Sequence, residues 1–470
     1  MQAKVLTVFA INFSVMLLLY FAGVRRLALP VLAKRLLLLA FMVAPVFIAI
    51  KGVESVMFAS DLIGPVLMFV ALKRWHDADP RIKSLRKLLL LLLLLWPLLM
   101  TVLAQGAGEG THFGMRELQG LVIWIYRNAV LFSVFVLASS LRLSQQQFRQ
   151  LLLGFLVLSI GMVALAAVNY LHIYNLAIFE ELLSSFQTLD ESSYKTAGTA
   201  WGFGYLGMFR GSMGQWYANS ALLAVAAFMA LRGMARMLAL MIALASVVLV
   251  LISLSRAGLV ATAISIFVYA LLLGFRGWRL LLLGAVCGVA LLPLFEVEML
   301  QQRIDSIFGY ASSKEANRVD GWQLALSHFS DSAVDLLIGV GATNRERVFH
   351  IIGAFGAHNE YIDSVFRAGI GGVLLLLAFL ATALRQGTRN YLQAGQADAK
   401  VIAAITPALL VSNAVLGITQ DHLYRDYSSY ATGPMMYLLY GVLLSLQLRP
   451  PSRHPVATTK SGTVLQLNFA

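Results

Sequence analysis

A few cationic and polar residues stand apart in this sequence because of where they fall. Arg127 lies in the middle of an apolar run, in Ile125-Tyr126-Arg127-Asn128. A charge there is costly unless it pairs with a buried carboxylate or holds an anionic ligand. Arg210 opens Arg210-Gly211-Ser212-Met213-Gly214, with Trp216, Tyr217 and Asn219 close behind. The glycines permit close backbone approach, and the aromatics can stack on a sugar or form an interfacial belt. Arg256, in Leu254-Ser255-Arg256-Ala257-Gly258, separates two apolar runs with almost no loop between them. It is therefore either a ligand-holding cation or a turn residue at headgroup level. Further on, Gly339-Val340-Gly341 and Asn344-Arg345-Glu346-Arg347 precede His358-Asn359-Glu360-Tyr361. A helix starting near Asn359 would point its free N–H groups outward, as anion sites do. A lone histidine is more often structural, but Asn359, Glu360 and Asp363 can orient His358 as a general base. Glu360 and Asp363 are alternative bases.

The elements that must position these residues are membrane helices. The chain is 59% hydrophobic and 13% charged, with a mean hydropathy of +0.78, whereas a soluble domain carries about 25% charged residues. Apolar runs near the length needed for a span fall at 5–24, 36–50, 56–72, 88–103, 121–141, 151–170, 218–231, 238–254, 257–275, 280–295, 368–384, 401–418 and 431–446. With roughly 20 residues per crossing, the expected fold is all-α, a polytopic transmembrane bundle of about 12–14 helices with a small extracytoplasmic helical cap. The first run has no small-residue cleavage site before Arg25 and Arg26 and reads as a retained helix. The single cysteine, Cys287, excludes a disulfide framework and a CxxC metal site.

The net charge of +13 is spread between the apolar runs and forms no single patch, which argues against nucleic acid. Lys73, Arg74, Arg81, Lys83, Arg86 and Lys87 fill one loop, and Arg142 with Arg149, Arg232 with Arg236, Arg276 with Arg279, and Arg385, Arg389 and Lys400 mark alternate ones. By the positive-inside rule these define the cytoplasmic side. Arg25–Arg35 fits that register only with the N-terminus outside. The opposite side then holds two long acidic segments, 172–217 and 296–367, of a length usually kept for function. The second, in which 318–328 reads as an amphipathic helix, is the expected cap. The expected organisation is thus a bundle over 1–295, the cap over 296–367, further spans over 368–448 and a polar cytoplasmic tail over 449–470.

The ordered set of motifs resembles the O-antigen ligase and polymerase family. It comprises Arg210-x-x-Met213-Gly214 running to Asn219-Ser220, Ser253-Leu254-Ser255-Arg256-Ala257, Arg318 through Trp322, Gly339-Val340-Gly341, His358-Asn359-Glu360-Tyr361 and Gly369-Ile370-Gly371-Gly372. Ala218 stands where the family usually has proline, and Ile362 where it has leucine. The resemblance implies a glycosyltransferase of the bacterial inner membrane, working at the periplasmic face without nucleotide sugar, metal or other cofactor. Such enzymes pass a glycan from undecaprenyl pyrophosphate to an acceptor hydroxyl, on the lipid A core in ligases or on a second lipid-linked repeat unit in polymerases. Arginines suit an anionic leaving group because they hold its oxygens bidentately. On this reading His358, Arg256 and Arg210 are catalytic, and Arg318, Arg127, Asn359, Glu360 and Tyr361 bind substrate. His358 either accepts the acceptor's proton or hydrogen-bonds the pyrophosphate. The alternative is a transporter or flippase of lipid-linked glycan, which predicts midplane polar residues on several helices and repeated, broken helices.

Overall fold

Backbone groups find no partner in lipid, so apolar runs of this length must close their own hydrogen bonds. In the computed structural model of the chain, nearly all of them do so as helices. The structure describes residues 2–43, 45–50, 53–77, 80–107, 115–173, 210–252, 255–291, 313–342, 345–353, 357, 359–419 and 433–447. Most of the expected segment 172–217, all of 296–312 and the tail beyond 447 lie outside them, as does His358.

In chain order the elements are α1 (Gln2–Ala22), α2 (Val31–Phe41), β1 (Pro45–Ile50), β2 (Val53–Phe58), α3 (Ala59–Leu62), α4 (Gly64–Lys73), α5 (Pro80–Leu90) and α6 (Trp96–Ala107). There follow α7 (Met115–Ser139), α8 (Gln145–Ile173), α9 (Arg210–Ala230), α10 (Gly233–Ile252), α11 (Arg256–Leu273) and α12 (Phe275–Leu291). Helix α13 (Ser313–Asp331) and the short α14 (Ala333–Ile338) and α15 (Arg345–Ile352) precede α16 (Glu360–Gln393), α17 (Ala397–Ala403), α18 (Ile405–Thr419) and α19 (Gly433–Leu444). Leu91–Leu95 forms a π-helical turn that joins α5 to α6. Among the described residues, six helical stretches are long and apolar enough to cross a membrane, and Gly64–Lys73, Ala257–Leu273 and Gly433–Leu444 are shorter apolar helices. The protein is a polytopic helical bundle.

One stretch departs from the expected helices. The apolar run 36–50 leaves the helix at Phe41, and Pro45 opens an antiparallel hairpin in which Pro45 pairs with Phe58 and Ile50 with Val53. Proline cannot continue a helix, and the β-branched Val46, Ile48, Ile50, Val53 and Val56 favour strand.

The basic loops meet at one end of the bundle. Arg149 bridges to Asp398 at 2.7 Å, and Arg142 donates to the Asp77 carbonyl at 2.6 Å. Gln447 N–H donates to Leu143 O at 3.1 Å, and the Tyr269 hydroxyl donates to Val401 O at 3.0 Å. Arg86 is wholly buried rather than solvated there, donating to Ser139 Oγ and to the carbonyls of Arg74, Trp75 and Val136. Helix α1 runs antiparallel to α8, since a side chain on Gly23 would meet Val157 and one on Gly161 would meet Val15, Met16 and Leu19. The turn at Arg25 and Arg26 therefore lies toward the end where α8 begins, which is the basic end.

Helices α13 to α15 gather around a second, smaller core of Ala325, Phe329, Val340, Val348, Ile352, Ala357, Val365 and Phe366. Asp335, 3% exposed, ties them together: Arg347 Nη2 donates to both of its oxygens at 2.9 and 2.8 Å, and His328 Nε2 lies 2.7 Å from Oδ2. This unit seats on a break in α16. Ala368 and Gly369 leave helical geometry (Gly369 φ 63°), and a side chain on Gly369 would come within 2.0 Å of Leu337 O. The carbonyls freed by the break find partners: Val340 N–H donates to Phe366 O at 2.7 Å and Trp96 Nε1 to Ala368 O at 2.9 Å. Buried backbone at membrane depth requires such pairing.

Candidate functional site

The elements that carry most of the expected site residues come together at the end of the bundle opposite the basic loops, where α9, α11 and α16 all begin. Arg210 is the first residue of α9 and Arg256 the first of α11. Ser255 caps α11, its Oγ accepting Gly258 N–H at 3.0 Å, and so satisfies one of the free donors of the first turn. The two helices touch where Gly214 meets Gly258. A Cβ on Gly214 would lie 2.3 Å from Ser255 Cβ and Oγ, and one on Gly258 would lie 2.7 Å from Gly214 Cα. Only glycine allows this approach on both sides. Gly214 is one turn past Arg210, about 6 Å along the axis, and Gly258 is two residues past Arg256, about 3 Å. The Gly214–Gly258 contact thus brings the two arginine backbones to one crossing. The helix N-termini that carry them favour an anion in the same place.

Small residues extend the contact to α18. Ala218, Ala261 and Leu416 are buried together against Ala257, and Ser412 Oγ donates to Ala261 O at 2.8 Å. The start of α16 is tied to α18 as well, because the Tyr361 hydroxyl donates to Ala414 O at 2.8 Å. Asn359 caps α16, with Oδ1 accepting the N–H groups of Tyr361 and Ile362 at 3.0 and 3.1 Å. Glu360 is buried at 1% exposure in the first turn. Arg210, Arg256, Asn359, Glu360 and Tyr361, widely spaced in sequence, are therefore carried by elements that meet.

His358 lies outside the described residues, but both of its neighbours are held. Ala357 N–H donates to Asp363 Oδ1 at 2.9 Å and Asn359 N–H to Asp363 Oδ2 at 3.3 Å. Trp322 Nε1 donates to Ala357 O at 2.7 Å. Arg318 precedes Trp322 by one turn of α13, so its backbone continues the face that carries Trp322, Ala325 and Phe329 toward residue 357.

Arg127 is placed differently. Its Nη2 is 3.6 Å from Asp61 Oδ2, with both side chains almost fully buried, and its guanidinium lies 5.9 Å from the Phe58 ring centroid. Asp61 also accepts Phe58 N–H at 3.0 Å, and Tyr126 donates to the Asp61 carbonyl at 2.5 Å. Helix α7 packs chiefly on α4 and α19, and this geometry favours an ion pair that fastens the turn after the hairpin.

Sequence reasoning missed a polar floor beside the crossing. Gln215 Nε2 lies 3.5 Å from Asn413 Oδ1, and Asn413 Nδ2 donates to the Tyr440 hydroxyl at 2.9 Å. Its signal was Asn413, the amide within the apolar run 401–418. Among the described residues no group of three or more His, Cys, Asp or Glu could hold a metal ion.

Fold and site together define a polytopic membrane protein whose cationic helix starts gather at the end away from its basic loops. Residues 240–377, from within α10 to the middle of α16, match the model of the O-antigen ligase family. This match supports a glycosyl-transferring membrane protein of the ligase or polymerase kind. It covers Arg256, Arg318, Trp322 and 358–361, and leaves Arg210 and Arg127 outside. No curated protein gives a match.

Proposed function

We propose that this protein moves a glycan from undecaprenyl pyrophosphate to an acceptor sugar hydroxyl at the periplasmic face of the bacterial inner membrane. The observation that carries the reading is the Gly214–Gly258 contact, which brings the helix starts bearing Arg210 and Arg256 together beside the capped start of α16. The basic end of the bundle is then cytoplasmic by the positive-inside rule, which puts the arginines and the cap outside.

In the reaction the acceptor oxygen attacks the anomeric carbon, and the bond from that carbon to the pyrophosphate oxygen breaks. The acceptor's proton passes to His358, and undecaprenyl pyrophosphate leaves with the bond electrons. Charge grows on the leaving oxygens, which Arg210 and Arg256 stabilise from fixed positions. Arg318 approaches from the cap. Asn359, Glu360 and Tyr361 shape the donor site from α16. Arg127, paired with Asp61, serves the scaffold in this account. No metal or other cofactor takes part.

The test is a gel of cell-envelope polysaccharide from a deletion strain complemented with wild type or His358→Ala. Loss of all core-attached glycan, with long lipid-linked chains accumulating, identifies a ligase. Single repeat units on the core without a longer ladder identify a polymerase. A profile unchanged by the deletion overturns the assignment to this glycan.

A further inference from the structure

Helix α14 is built inside out for a helix in water. Its one charged residue, Asp335, is turned inward, where it is bonded to Arg347 and His328. Val334 and Leu337, three residues apart and so on one face, are turned outward at 54% and 59% exposure. A helix that meets water shows the reverse arrangement. Charge toward the interior and an apolar face outward is the pattern of an element that meets lipid. Helix α13 does not share it: Asp320, Gln323, Ser327 and Asp331 are exposed along with Leu324 and Leu326, the mixed surface of an element in contact with water.

The spans beneath α14 give its depth. Leu337 O lies against Gly369, at the break in α16. Arg389, toward the basic end, is 20 residues beyond Gly369, about 30 Å of helix, and the hydrocarbon core is about 30 Å thick. On the other side, Ala342 N–H donates to Thr101 Oγ1 at 2.9 Å. Thr101 stands 18 residues past Lys83 of α5, about 27 Å. Both distances put α14 at the far edge of the hydrocarbon layer. The exposed surface there is already apolar: Leu99, Val102 and Leu103 flank Thr101 on α6, and Ile370 and Leu374 follow the break on α16.

We propose that α14 is inserted in the leaflet away from the basic end, with Val334 and Leu337 among its acyl chains, so that the cap is anchored to the bilayer as well as to α16. Its apolar face continues the lipid-facing surface of α6 and α16, which makes lipid the occupant. An interfacial helix of this kind sinks its apolar face about 5–10 Å into the boundary between headgroups and acyl chains. The leaflet thereby sets the level at which α13 stands above the membrane.

The experiment uses the full chain in lipid nanodiscs, with Cys287→Ser and one new cysteine carrying a nitroxide label. Leu337→Cys and Val334→Cys report on the face of α14. Leu374→Cys on α16 is the lipid reference, and Gln323→Cys on α13 is the water reference. Oxygen, which concentrates in lipid, and a nickel chelate confined to water are compared as relaxing agents. The labels at 337 and 334 are expected to relax with oxygen over nickel and to read a depth of about 5–10 Å. The label at 374, five residues past Gly369, is expected about 7 Å deeper, and the label at 323 is expected to favour nickel. Nickel-dominated relaxation at 337 and 334 would put α14 in water and overturn the proposal. Protection from both agents there would overturn it too, since protein, a second copy included, would then cover the face. Should one of the two α14 variants fail to fold, the other decides on the same outcomes.

Discussion

Gly214→Ala tests whether the arginine spacing is set by the α9–α11 contact. The added methyl would lie 2.3 Å from Ser255 Cβ and Oγ, whereas carbon atoms pack at about 3.5–4.0 Å. The shortfall is at least about 1.2 Å, and the obstacle is the N-terminal cap of α11 rather than the far end of a flexible side chain. The helices must therefore separate by roughly 1 Å. Overpacking costs about 1–3 kcal/mol, partly offset by the ~1 kcal/mol that alanine gains over glycine within a helix. The variant should insert and stay folded with a modest loss of stability. Transfer is another matter, because a misplacement of ~1 Å can cost ~100-fold. The assay is glycan transfer in proteoliposomes, normalised to folded protein by thermal unfolding in detergent. Gly284→Ala is the control, since a side chain there meets nothing within 4 Å, and it should leave transfer unchanged. Folded Gly214→Ala with transfer within about threefold of wild type would refute the claim that this crossing places the arginines.

Three further outcomes are expected. Arg256→Lys should insert normally but lose most of its transfer activity, since an ammonium does not replace a bidentate fork; wild-type turnover would remove Arg256 as a donor clamp. Arg86→Leu should lower stability by about 3 kcal/mol, because the carbonyls of Trp75 and Val136 lose a buried charged donor; thermal unfolding of the variant checks it, and an unchanged midpoint would contradict the buried role. Chelator should leave transfer unaffected, and a loss restored by divalent ion would reveal a metal requirement.

Much of the fold was legible because the bilayer imposes simple rules. Composition alone required spanning helices, and the arginines between runs forecast an end at which Arg149 and Asp398 now meet across 249 positions. Asn359 was readable as a helix start from its residue type. The hairpin was not, because a continuous apolar run carries no period; only Pro45 and the β-branched residues marked it. Long-range pairings were hidden for a different reason. Nothing near Arg127 in the sequence names Asp61 as its partner, and Gly214 and Gly258 announce small volume without saying what each touches. Trp322 stood in a motif, yet its bond to Ala357 depends on how the cap closes on α16. The candidate residues were thus legible as types, whereas the elements that bring their backbones together were not.

The most direct test of the central claim is to follow both products at once in sealed proteoliposomes supplied with undecaprenyl-pyrophosphate-linked glycan and a sugar acceptor. The account predicts glycan on the acceptor with equimolar release of undecaprenyl pyrophosphate, both lost in Arg210→Ala and Arg256→Ala. Movement of intact lipid-linked glycan across the bilayer, with no glycosidic bond broken, would contradict it and make the protein a transporter.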